Sequence, residues 1–243
     1  MRIALYVTCL VDLMRPSVGF AALRLLASTG FEIVVPPGQT CCGQPAWSAG
    51  NRPLAETLAK KAIAELEAYD KIVVPSGSCA EQIRLTYPKL FAEDVNWGPR
   101  ARALADKTQE LTEFLAAFGD EIKLPGEFAG TVTYHDSCKG LRGLGIKTQP
   151  RALLERVRGL TVKEMADCEE CCGFGGAFAE NYADISARIV DRKCDSIAAA
   201  GADAVIGGDL GCLLNIEGRL RRRGDETTRV LHIAEVLAGE SKP

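Results

Sequence analysis

The sequence predicts an α/β protein made of two duplicated, Rossmann-like halves, each with a parallel sheet. Three observations predict this fold. Eight of the ten cysteines recur with nearly the same spacing in both halves. Short β-branched segments precede these cysteines, and helical segments separate the β-branched segments from one another. Strands that alternate with helices indicate a parallel sheet with helices packed on its faces.

The cysteine repeat gives the clearest sign of duplication. The first set is Cys9, Cys41, Cys42 and Cys79, and the second set is Cys138, Cys171, Cys172 and Cys212. Corresponding members are 129 to 133 residues apart, and each adjacent pair precedes a glycine, Gly43 or Gly173. An internal repeat explains this economically. We expect a first half at 1–125 and a second half at 126–243, divided within the segment 119–130.

The elements follow from local composition. The predicted strands are RIALYVT, EIVVP and KIVVP in the first half, and TVTYH, LTVKEM and DAVIGG in the second. Apolar residues at three- and four-residue steps predict helices over 53–68 and 181–199. The segment 99–118 is predicted to be one amphipathic helix, and its apolar face carries Leu104, Leu111, Phe114, Leu115 and Phe118.

This arrangement places the cysteines at one edge of each sheet. Each cysteine or cysteine pair comes shortly after a predicted strand. The loops that follow parallel strands gather at the carboxyl edge of the sheet, where α/β folds place their sites. We therefore expect the four thiols of each half to meet at one point, next to helix N-termini that favour negative charge.

Four thiolates suit a [4Fe–4S] cluster or a structural zinc ion. Neighbouring side chains on a strand point to opposite faces, so an adjacent pair serves one centre only where the chain turns sharply. Gly43 and Gly173 allow that turn. Zinc ribbons use cysteines two to four residues apart, which the repeated positions lack. The sequence predicts up to two iron–sulfur clusters, with zinc at one site or a vicinal disulfide as alternatives.

Other residues near the cysteines have weaker assignments. The glycines of CCGFGGAF, at 171–178, let backbone N–H groups donate to cluster sulfurs, and their spacing does not match a dinucleotide loop. Cys168 and Cys194 lie outside the repeat: Cys168, three residues before Cys171, is either a spare ligand or a non-ligand, and Cys194, within the helix 181–199, is predicted to belong to the core. His135 has three open interpretations: it orders the surroundings of the cluster, relays a proton or is structural. His232 is predicted to be structural.

Composition limits the location and the partners. No apolar segment reaches the roughly 18 residues of a membrane span, and the apolar N-terminus is too short for a signal peptide. Ten cysteines without those signals favour a cytoplasmic protein that uses its thiols for something other than disulfides. The net charge of −3 gives no reason to expect a nucleic-acid partner. Lys139 and Arg142 flank Cys138 and either offset cluster charge, meet a partner or are solvated.

At these residues the sequence resembles the cysteine-rich CCG-domain family. That family includes the B subunit of heterodisulfide reductase, the iron–sulfur subunit of glycolate oxidase and the small iron–sulfur subunit of the bacterial L-lactate oxidation system, which is the most similar. The motifs that carry the resemblance span nearly the whole chain: VTCLVD, PPGQTCCGQPAW, PSGSCA, YHDSCKGLRGLG, ECCGFGGAFA and GGDLGCLLNIEGRL.

The resemblance implies an iron–sulfur electron-transfer subunit of a multi-subunit oxidoreductase, in the oxidation of L-lactate to pyruvate. It assigns no catalytic residue to this chain. The implied partners are a larger ferredoxin-like iron–sulfur subunit and a third small subunit, which would also account for a peripheral membrane association.

The sequence departs from the full family motif, whose last part is C-x-x-C. Ser76 and Asp209 stand where the first cysteine of that part is expected. Each half therefore has four thiols, which favours an ordinary cubane cluster and leaves an oxygen ligand from Ser76 or Asp209 open. The alternative functions are a thiol/disulfide redox subunit like that of heterodisulfide reductase, and a zinc-bearing assembly scaffold.

Overall fold

A computed structural model describes residues 1–240, which contain two four-stranded parallel sheets. The strands are β1 (Arg2–Leu5), β2 (Glu32–Val34), β3 (Lys71–Val74), β4 (Thr108–Glu110), β5 (Glu127–His135), β6 (Arg158–Val162), β7 (Ala204–Gly207) and β8 (Arg229–His232). The order is β2-β1-β3-β4 in the first sheet and β6-β5-β7-β8 in the second. The same order in both sheets confirms the predicted fold class and its duplication.

Helices connect the strands and cover the sheets. They are α1 (Cys9–Met14), α2 (Pro16–Ala27), α3 (Gln44–Ser48), α4 (Arg52–Leu66), α5 (Gly77–Glu81), α6 (Tyr87–Leu90), α7 (Trp97–Lys107), α8 (Leu111–Ala116), α9 (Thr148–Leu154), α10 (Ala177–Asn181), α11 (Ala183–Ala200), α12 (Leu210–Arg222) and α13 (Ile233–Leu237). Short π-helical turns lie at Gln82–Thr86 and Lys139–Gly143. Within residues 1–240, every helix falls short of the length and apolarity that crossing a bilayer requires.

The predicted single helix over 99–118 is wrong. Helix α7 ends at Lys107, and the chain then runs extended as β4 beside β3 before α8 begins. The Glu110 carboxylate causes the restart, because it accepts hydrogen bonds from the N–H groups of Thr112 and Glu113 and caps α8. Leu104 on α7 and Leu111, Phe114 and Leu115 on α8 are buried all the same, whereas Phe118 follows α8 and is half-buried.

Alternation along the strands separates two hydrophobic cores. Ile3, Leu5 and Val73 face one core, whereas Ala4 and Ile72 face the other, as successive side chains on a strand must. The first core continues into the second half of the chain, where strands β5, β7 and β8 contribute to it. The buried residues of the second core all come from the first half, and Leu144 of the second half packs against them. The two halves therefore share one core.

The carboxyl edges of the two sheets lie against each other. Helix α5, after β3, packs on the π-helical turn that follows β5. The N–H of Gly77 donates to the carbonyl of Gly208 at 3.3 Å, and a Cβ at position 77 would lie 2.9 Å from the hydroxyl oxygen of Ser137. This close approach brings the loops that carry both cysteine sets to the junction of the halves. We keep 1–125 and 126–243 as the proposed division, between β4 and β5.

Candidate metal centres

The four cysteines of the first set meet at the carboxyl edge of the first sheet. Cys9 begins α1 after β1, Cys41 and Cys42 lie in the loop between β2 and α3, and Cys79 lies in α5 after β3. The sulfurs of Cys42 and Cys79 are 3.3 Å apart. Cys41 hydrogen-bonds both Cys9 and Cys42. The thiols thus form a continuous chain of sulfur contacts.

The second set repeats this arrangement. Cys171 hydrogen-bonds Cys138 and Cys172, and Cys172 hydrogen-bonds Cys212 at the start of α12. The structure therefore brings together the four members of each predicted set. Their role as metal ligands stays a prediction.

Glycine allows each adjacent pair to turn toward one centre. Gly43 and Gly173 have φ angles of +82° and +83°, a conformation that side chains rarely adopt. A Cβ at Gly173 would lie 2.7 Å from the carbonyl oxygen of Ser186, so only glycine fits there. Each glycine N–H donates to the sulfur two residues earlier, Cys41 at 3.4 Å and Cys171 at 3.3 Å.

Contact between the thiols makes one member of each set acidic. The pKa of Cys41 falls to about 3 because Cys42 and Cys9 donate hydrogen bonds to its sulfur. The pKa of Cys171 falls to about 2 because Cys138 and Cys172 donate in the same way. The donors hold their protons, so their pKa values rise. A thiolate is the form that binds metal, so each set offers one soft anionic ligand before the metal displaces further protons.

Ser76 and Asp209 are bound to each other across the junction. One carboxylate oxygen of Asp209 accepts hydrogen bonds from the Ser78 N–H at 2.7 Å and the Ser76 hydroxyl at 3.3 Å. The pKa of Asp209 is raised, because burial disfavours its charged form more than these donors favour it. The two positions that depart from the family motif therefore serve contacts between the halves.

A cavity of about 570 Å³ opens over the first set. All four of its thiols line the cavity, and the opposite wall comes from the second half, including Phe174, Gly176 and Leu210. The glycine-rich segment of the second half thus covers the first centre, in addition to the hydrogen bond from Gly173 to its own cysteine set that the sequence suggested. Residue spacing carries no signal for this contact, because it depends on how the halves pack.

His135 lies beside the second set. Its ring is 1% exposed, and a ring nitrogen and the sulfurs of Cys172 and Cys212 lie within 4.8 Å of one another. Neither ring nitrogen has a hydrogen-bond partner among residues 1–240. Burial, followed by the charge of Lys193, lowers the pKa of His135 to about 3, so the ring is neutral.

Sequence reasoning missed Lys193. This lysine is buried on α11, and its ammonium group donates to the carbonyl of Asp167. Lys193 lies between Val190 and Ile197 on the apolar face of the helix, and a charged residue at such a position could have been identified from the sequence. Buried lysine is unusual, and here it places a positive charge near the second set of thiols.

The remaining assignments are simpler. Cys194 is buried in the shared core, as predicted, and His232 caps α13 by accepting from the Ala234 N–H at 3.2 Å. Cys168 is half-buried and packs against the shared core. Lys139 pairs with Glu81 at 3.1 Å, across the junction. Arg142 donates to the carbonyl of Glu169 at 3.3 Å.

The donor set decides which group the sites fit. Each half offers four cysteine sulfurs in mutual contact, and thiolate sulfur is a ligand that soft metals prefer. Backbone N–H groups point at sulfurs of both sets, as they do where protein tunes an iron–sulfur group. The residues therefore fit an iron–sulfur cluster or a tetrahedral zinc ion.

Comparison with known proteins gives consistent matches. The family model for the cysteine-rich CCG domain matches twice, at residues 3–84 and 132–217. Lactate utilization protein A of Bacillus cytotoxicus is 46% identical over 241 residues, which cover 99% of this chain and 100% of the relative. Lactate utilization protein A of Bacillus cereus is 44% identical over 241 residues, with the same coverage.

A solved structure also shares the fold. The crystal structure of a hypothetical protein from Helicobacter pylori superposes with a TM-score of 0.66 at 15% sequence identity. The match covers 99% of this chain and 49% of that chain, so this fold spans about half of the larger protein.

Proposed function

This chain belongs to the cysteine-rich CCG-domain family, in the group that contains lactate utilization protein A, and on that premise we propose that it is an iron–sulfur electron-transfer subunit. Its complex would oxidise L-lactate to pyruvate. One observation carries the proposal: in each half, four thiols from three separate segments of the sequence form a continuous chain of sulfur contacts. An iron–sulfur cluster held by such a set supplies one-electron redox chemistry.

We assign each cluster to one half. Cys9, Cys41, Cys42 and Cys79 would hold the first cluster, and Cys138, Cys171, Cys172 and Cys212 would hold the second. The turns at Gly43 and Gly173 aim each adjacent pair at its own centre, and their N–H groups stabilise the thiolate charge. The ammonium group of Lys193, which interacts electrostatically with Cys172, would offset part of the negative charge of the second cluster.

The proposed substrate would bind to a partner subunit. The cavity over the first set has a volume of about 570 Å³, and none of its lining residues is Lys, Arg or His. Asp209 and Glu180 line it instead, and carboxylates repel the carboxylate of a small 2-hydroxyacid. This chain would therefore carry electrons between the substrate-binding partner and the acceptor, in the cytoplasm or at the membrane surface.

Metal analysis tests the proposal. Protein purified without oxygen is expected to contain about eight iron and about eight acid-labile sulfide per chain, which is the content of two [4Fe–4S] clusters. The reduced protein should give the electron paramagnetic resonance of such clusters. About two zinc ions per chain and no iron would contradict the proposal and support the assembly scaffold instead.

A further inference from the structure

We propose that His135 is a nitrogen ligand of the second metal centre, a donor that the first centre lacks. The inference rests on the proposed function, because it assumes that the second set of thiols holds a metal. In the coordinated state one ring nitrogen gives its lone pair to the metal, and the other keeps its proton.

The position of the ring carries the inference. His135 is the last residue of β5, three residues before Cys138, and its side chain turns inward rather than to solvent. A nitrogen lies within 4.8 Å of two sulfurs of the set, which is a distance that one metal ion or one cluster edge spans. Imidazole and thiolate together suit both iron and zinc.

The lack of any other partner supports the same role. Buried histidines normally hydrogen-bond through at least one ring nitrogen. Both nitrogens of His135 lack a partner among residues 1–240, although the ring is enclosed by protein. A bound metal satisfies one of them. His232 shows the contrast, because it is equally buried but accepts a hydrogen bond from Ala234.

The first half has no counterpart to this ligand. Tyr6 lies three residues before Cys9, as His135 lies three before Cys138, but its hydroxyl is committed to the carbonyl of Thr40. Lys193 also lacks a counterpart in the first half. It lies 21 residues after Cys172, and the residue 21 positions after Cys42 is the apolar Ile63. The two centres are therefore chemically unequal, and a neutral nitrogen ligand with a nearby lysine favours a higher reduction potential at the second.

Pulsed electron paramagnetic resonance of full-length protein labelled with ¹⁵N-histidine tests the inference. The C42S variant removes the first centre, so that only the second contributes to the spectrum of the reduced protein. We expect a nitrogen hyperfine coupling that changes between ¹⁴N- and ¹⁵N-histidine and is lost in C42S/H135Q. The control is C42S/H232N, which alters the only other histidine, keeps a side chain that caps helices well, and should retain the coupling.

The outcomes separate this inference from the proposed function. Iron in the second centre without a histidine coupling, or a coupling that persists in H135Q, would overturn the inference alone. A second centre without metal would overturn both. If zinc replaces iron, the proposed function fails, and X-ray absorption at the zinc edge still decides His135 by a nitrogen at about 2.0–2.1 Å.

A second variant guards against a loss of folding in H135Q. H135C supplies a thiolate where the ring stood, so the cluster should load with iron while the histidine coupling disappears. Because an anionic ligand replaces a neutral one, the midpoint potential of the second centre should fall. A potential that stays the same or rises would contradict coordination by His135.

Discussion

Ser76 and Asp209 occupy the two positions at which the family motif has a further cysteine. Their side chains hydrogen-bond to each other at 3.3 Å, and Asp209 also accepts from the N–H of Ser78. These contacts join the first half to the second and occupy the Ser76 hydroxyl and one of the two carboxylate oxygens of Asp209. At the residue scale, the structure thus favours four sulfur ligands per half without oxygen from either position.

An Asp209→Asn substitution tests this reading. The amide keeps an oxygen that accepts from Ser78 but lacks the negative charge of a carboxylate ligand. We expect the iron content of anaerobically purified D209N to equal that of the unchanged protein. A loss of roughly one cluster would instead identify Asp209 as a ligand. Glu180→Gln, which changes another carboxylate lining the same cavity, is the matched control.

The sequence predicts these residues unevenly. Cys9, Cys41, Cys42 and Cys79 could be grouped from spacing alone, because the second set repeats it. The pairing of Ser76 with Asp209 joins residues 133 positions apart through the packing of the halves, and no local pattern encodes it. Lys193 was accessible from sequence, since it interrupts an apolar helix face.

Glu110 decides the architecture at the scale of elements. It ends β4 and caps α8, where periodicity alone predicts a continuous helix. Hydrophobic periodicity reports which positions are buried but is nearly the same for one helix and for two helices in line. The capping-box sequence, with Glu113 three residues after Glu110, was the available sign of the break.

The burial of Glu110 predicts a pH-dependent stability. Desolvation raises the pKa of this carboxyl from 4.5 to about 7, although Thr112 and Glu113 donate to it. Between these pH values the folded chain binds a proton that the unfolded chain has released, so stability falls as pH rises from 4.5 to 7. Glu110 should therefore cost the unchanged protein roughly 2 kcal/mol of its free energy of unfolding between pH 5 and 7. Glu110→Gln should not show this loss.

Urea unfolding of reduced, metal-free protein at several pH values measures this. The E110Q profile should be flatter than that of the unchanged protein, and Glu93→Gln, at an exposed side chain, should leave the profile as it was. An E110Q profile as steep as the original would show that Glu110 does not hold the proton.

The two halves behave as one unit at the scale of the whole molecule. They share a hydrophobic core, and Arg15 of the first half reaches the second. Its guanidinium donates to the Val230 carbonyl at 3.0 Å and to the Glu217 carboxylate at 2.6 Å. We therefore expect one cooperative unfolding transition for the metal-free chain, as a shared core requires.

Arg15→Ala should lower the free energy of unfolding by about 2 kcal/mol, because it leaves partly buried acceptors without a charged donor. Arg158→Ala, which removes an exposed pair with Glu127, should cost under about 1 kcal/mol. Denaturant titration followed by circular dichroism compares the two variants. Equal losses, or separate transitions for the two halves, would contradict the shared-core account.

The duplication itself was visible in the sequence, and it predicted two parallel sheets with a cysteine set at the edge of each. The covering of the first centre by Phe174 and Gly176 was not visible. That contact depends on how the two sheet edges meet, which is set by the shape of both halves rather than by any segment.

The most direct test of the central claim is the iron and sulfide content of single-cysteine variants purified without oxygen. The account predicts that C42S and C172S each lose roughly one cluster, that the double variant loses both, and that C194S, which changes a core cysteine, loses none. Full iron content in C42S or C172S, or loss of both clusters from either one, would contradict two independent four-cysteine centres.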